Sequence, residues 1–151
     1  MPRRDEAEFL QFALKGDADA IDFCNIIFRA SQVLDDLIDM DRPVTGDQIT
    51  NTFWSILIDL PKNRFYRQHV DTLVPMMQVF LQDWVDATRL ETMGDEHAQN
   101  IAFVLRDTIG GLVIHVAAMV GGYEWANTHS VTIRGHVYED GLRQYKRELG
   151  K

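Results

Sequence analysis

Apolar residues recur along this chain at intervals of three and four, the period of a helix. The clearest case is "AIDFCNIIFRASQVLDDLID", residues 20–39. No sustained apolar/polar alternation appears, and no Asn-Gly or Asp-Gly turn sits between β-branched runs. The pattern predicts a short helix over Asp5 to Leu14, stopped by "KGD". A second, capped by Asp17 or Asp19, runs to about Met40 and ends before "DRPVTGD". Thr45 and Gln48 have capping-box spacing at the head of a helix from Gly46 to Asp59, which Pro61 helps to end. A helix from Phe65 to Glu91 carries Pro75 and is expected to kink near Val74. After "ETMGDE", a helix from Glu96 to Val120 stops at Gly121 and Gly122. A weaker helix covers Ser130 to Glu148.

Short loops join these segments. The expectation is an all-α fold, a compact bundle of about five to seven helices around one or two central buried helices. The aromatics Phe53, Trp54, Phe65, Tyr66, Phe80 and Trp84 recur at helical spacing and are read as core. Over 151 residues, 46% hydrophobic, one helical domain spanning 1–151 accounts for the pattern.

Charge narrows the function classes. The net charge of −8 argues against nucleic-acid binding, which needs clustered Lys and Arg. The lone Cys24 forms neither an internal disulfide nor a cysteine zinc site, and a reducing, cytoplasmic setting fits it. No apolar run approaches the length of a membrane-spanning helix, and the start lacks a secretory apolar region. The aromatic pairs "FW" and "FY" are compatible with a homodimer.

The second helix carries a polar stripe. Asp22, Asn25, Arg29, Gln32, Asp36 and Asp39 follow one another at spacings of 3, 4, 3, 4 and 3. At about 100° per residue they share one side, with Asp35 just beyond its edge. Nearly all other positions are apolar, so the stripe reads as a narrow seam on a mostly buried helix. Asp35, Asp36, Asp39 and Asp41 crowd the C-terminal end, against both the helix dipole and one another. One explanation is a shared Mg²⁺, with Asp35, Asp36 and Asp39 as ligands and Arg29 positioned for a phosphate. The other is a structural network or an ordinary polar side. On the Glu96–Val120 helix, Asn100, Asp107 and His115 lie along one side and form a candidate second wall. Gly110 and Gly111 there suggest close approach by a neighbouring helix or a ligand.

"DDLID", Asp35 to Asp39, matches a DDxxD pattern at a helix end. It resembles the first aspartate-rich motif of the class I isoprenoid synthases, the prenyl diphosphate and squalene/phytoene synthase group. That resemblance implies an all-α, isoprenoid-synthase-like fold in which these aspartates hold Mg²⁺ against a substrate diphosphate. The chain has no second DDxxD, and "RDTIGGLVI" does not reproduce the second metal motif of that group.

Two functions follow as expectations. One is a Mg²⁺-dependent protein acting on or binding a diphosphate-containing small molecule. Its substrate-binding residues would be Asn25, Arg29, Gln32, Asn100, Asp107 and His115. The other is a non-catalytic helical assembly or regulatory protein whose polar stripe is architecture.

Overall fold

A computed structural model of the chain describes residues 5–150. Every regular element among them is helical. The chain divides into two compact units, one ending at Val70 and the other beginning at Asp71.

The first unit holds α1 (Glu6–Ala13), α2 (Ala18–Asp39), α3 (Gly46–Trp54), a π-helical turn (Ser55–Asp59), the single turn α4 (Leu60–Lys62) and the start of α5 (Arg64–Glu91). Side chains set several boundaries. Asp17 accepts from the Ala20 amide at 3.0 Å and caps α2. Thr45 and Gln48 form the full capping box of α3, at 2.9 and 3.2 Å. The expected Gly46–Asp59 helix is not uniform, because it widens into the π turn from Ser55. Pro61 does not end it. A proline in the first turn of a helix loses no bond it would have made, and Pro61 stands in the first turn of α4.

Leu10 and Ala13 of α1, Leu14 at its C-cap, Ala20, Phe23, Cys24 and Ile27 of α2, and Leu60 and Phe65 form the buried apolar set of this unit. Phe23 packs against Phe65 and Tyr66, with ring centroids 5.9 and 6.0 Å apart. Asn63, itself buried, donates to the Asp19 carbonyl at 2.9 Å and accepts from the Tyr66 amide at 2.8 Å. It thus caps α5 and ties that cap to the start of α2.

The second unit holds the rest of α5, α6 (Glu96–Leu105), α7 (Ile109–Gly121), α8 (Tyr123–Val137) and α9 (Leu142–Leu149). The non-helical residue of α5 is His69 (φ −125°, ψ 19°), not Val74. Pro75 itself stands within helical backbone. The predicted Glu96–Val120 helix is two helices. Between them Gly110 donates to the Asp107 carbonyl at 3.1 Å and Gly111 to the Thr108 carbonyl at 2.8 Å, a tight turn. Asp107 and Thr108 favour such turns, and the paired glycines weaken the helix that would replace it. The predicted Ser130–Glu148 helix is also two. α8 begins earlier, directly after Gly122, whose φ of 89° turns the chain out of α7.

α7 and α8 pack against each other. A Cβ at Gly110 would lie at ordinary contact distance, 3.5 Å, from Val137 Cγ2, and one at Gly111 would meet nothing within 4 Å, so packing requires neither residue to be glycine. Ala87, Ala102 and Tyr145 form the core of a cluster onto which Leu90, Phe103, Leu105, Leu142 and Leu149 pack. By length and composition Glu96–Gly121 contains one stretch apolar enough to cross a membrane, which sequence reading had not expected. The helix break over Arg106–Thr108 falls within it.

Candidate functional site

The polar stripe of α2 is the solvent side of an amphipathic helix, not a buried seam. Asp22, Arg29 and Gln32 are exposed, and Asn25, Asp35, Asp36 and Asp39 are half-buried. Gln32 Nε2 donates to Asp36 Oδ1 at 3.0 Å, an exposed bond one turn apart. No residue of α2 beyond Ile27 is buried. The crowded carboxylates Asp35, Asp36 and Asp39 are half-buried at that helix end, and α2 itself has no basic side chain in its last turn. Among the described residues, no three of His, Cys, Asp and Glu gather in a way that could hold a metal ion.

The other side of α2 departs further from expectation. Its buried positions Ala20, Phe23 and Ile27 continue along the same side into Leu34, Leu37 and Ile38. There the side is open: Leu34, Leu37 and Ile38 are all exposed. α2 ends at Met40, which adopts a left-handed backbone (φ 55°, ψ 27°) and is 84% exposed. Neither α3 nor the π turn contains a buried residue, although both pack against α2. Phe53 and Trp54, read from sequence as core, are exposed, as is Leu57.

The second candidate wall lies in the other unit. Asp107 is half-buried in the α6–α7 turn, and its charge helps to raise the pKa of Tyr138, mainly raised by burial. Asn100 and His115 are half-buried. Asn100 Oδ1 and His115 Nε2 are themselves buried and have no hydrogen-bond partner.

Sequence reading missed the polar cluster that organises this unit. At its centre is Glu91, whose side chain is only 11% exposed. Its Oε1 accepts from Arg106 Nη1 and from the Tyr145 hydroxyl. Burial and the Glu91 bond push the Tyr145 phenol well above its ordinary range. Lys146 pairs with Glu96 at 3.0 Å, a second link from α9 to α6. Tyr138 donates to the Val104 carbonyl and secures the same corner. These groups satisfy one another, as structural networks do. By contrast Asp86, paired with Arg89 at 3.6 Å, does lie on a largely exposed surface.

Comparison with protein-family models, with curated proteins and with solved structures found no match.

Proposed function

We propose that this chain is a non-catalytic helical assembly protein, which works by packing apolar helix surface against a partner. The observation that carries the reading is the apolar side of α2, which passes from core at Ile27 to open surface at Leu34, Leu37 and Ile38. A helix side that is core for half its length and bare for the rest is an incomplete contact. The polar stripe needs no ligand on this reading. Its residues are half-buried or exposed, and Gln32 bonds to Asp36 within it.

The competing reading is a Mg²⁺-dependent, isoprenoid-synthase-like diphosphate binder using Asp35, Asp36 and Asp39. Melting the protein with and without millimolar Mg²⁺ and pyrophosphate separates the two. The assembly reading expects an unchanged melting temperature. A rise with Mg²⁺ or pyrophosphate that Asp36→Asn abolishes would establish ligand binding by mass action and displace it.

A further inference from the structure

We infer that α9 is a detachable strap: it opens as one piece from α5 and α6 while the rest of the second unit stays folded, and so uncovers the apolar surface beneath it. The inference concerns the second unit alone and does not depend on the assembly reading.

α9 does not hold its own shape. It has eight residues, Leu142–Leu149, and its N-cap Gly141 supplies no side-chain bond. Isolated helices shorter than about 12–15 residues are marginal in water, so docking is what keeps α9 helical. Its sequence "LRQYKREL" is two-sided. Leu142, Tyr145, Lys146 and Leu149 recur at i, i+3, i+4 and i+7 and are the covered side, whereas Arg143, Gln144, Arg147 and Glu148 are exposed.

The docked side is thin. Tyr145 is the buried residue of α9 and joins Ala87 and Ala102, with Leu142 and Leu149 packed alongside. Its ring centroid lies 5.4 Å from that of Phe103. Two polar links add to this contact, Tyr145 to Glu91 and Lys146 to Glu96. The Glu96 side chain is 82% exposed, and a surface pair of that kind contributes little. α7, in the same unit, buries Leu112, Val113, Val116 and Ala117. Apolar burial sets most of the cost of opening an element, so α9 opens before α7 does.

The chain also provides a pivot. Tyr138 donates to the Val104 carbonyl and fixes the chain where α8 ends. Glu139, Asp140 and Gly141 follow, all exposed and outside any helix. Release of α9 bares Ala87 and Ala102, with Leu90, Phe103 and Leu105 beside them. The Glu91–Arg106 pair joins α5 to the end of α6 without α9 and keeps that surface in place. The strap thus sets how much apolar helix surface this unit presents.

Native-state hydrogen exchange of the full chain, read amide by amide by NMR, tests the strap. In wild type the amides of residues 145–149 are expected to share one opening free energy and to be at least about tenfold less protected than those of residues 113–117. Tyr145→Phe removes a bond to a charged acceptor and is expected to speed exchange of the whole α9 set about tenfold or more, with α7 unchanged. Protection of α9 equal to that of α7 overturns the inference. So does protection that falls off residue by residue along α9, which is end fraying, and so does a Tyr145→Phe variant in which α7 loosens as much as α9. Should that variant not fold, the wild-type comparison decides the matter.

Discussion

The Tyr145 hydroxyl donates to Glu91 Oε1, joining residues 54 positions apart and pinning α9 to the end of α5. The same oxygen accepts from Arg106, whose side chain is 17% exposed. Glu91→Gln removes the carboxylate charge from a largely buried ion pair and is expected to cost about 3–5 kcal/mol. Tyr145→Phe removes one bond to a charged acceptor and is expected to cost about 1.5–3 kcal/mol. Urea denaturation of both variants checks the order; equal and negligible losses would show that the cluster does not hold the second unit together.

Asn63 makes the corresponding link in the first unit. Its side chain serves two backbone groups, the Asp19 carbonyl and the Tyr66 amide. Asn63→Ala strands both and is expected to cost about 2–4 kcal/mol. A loss below about 0.5 kcal/mol, the range of ordinary surface changes, would contradict the assignment.

Gly110 distinguishes room from clash. Its added Cβ would sit at ordinary contact distance from Val137. Gly110→Ala is expected to be neutral or to stabilise by up to about 1 kcal/mol through helix propensity. Gly110→Leu overpacks the contact and is expected to cost about 1–3 kcal/mol. Thermal melts of the pair test this, and a destabilising alanine would mean that the two helices sit closer than described.

Alkaline pH should weaken the fold in a defined window. Burial pushes the Cys24 thiol from 9.0 up to about 12. Above pH 9 the unfolded chain releases this proton while the folded chain keeps it. Stability is therefore full below that pH and falls as pH rises toward 12, by at most about 1.4 kcal/mol per unit for one group. Tyr145 acts with the same sign at higher pH, since its phenol is also raised. Cys24→Ala should flatten the first part of the slope. An unchanged profile between pH 9 and 10 in that variant would refute the thiol's part.

The sequence made the helices legible where side chains cap them. Asp17 and the Thr45–Gln48 pair hold their helix starts as their types and spacing predicted. The polar stripe of α2 was also legible as a stripe. Its meaning was not, because periodicity shows which residues share a side and not what covers it. Leu37 and Phe23 belong to one apolar side, yet only Phe23 is buried. The Glu91 cluster was not legible for a related reason. Its partners Arg106 and Tyr145 lie on other helices, and no local pattern announces a pairing at that separation. The break at Asp107 and Thr108 was written in turn-forming residues and paired glycines. The apolar run around them outweighed that signal.

The central claim is that α2 works through its apolar side and not its acidic one. Two positions on that helix separate the alternatives: exposed Leu37 on the apolar stripe and exposed Gln32 on the polar stripe. Replacing each in turn with the photocrosslinker p-benzoylphenylalanine, and irradiating the cells that make the protein, reads which side meets a partner. The account predicts a crosslinked adduct from position 37 and none from position 32. Crosslinking from position 32, or from neither, would contradict it.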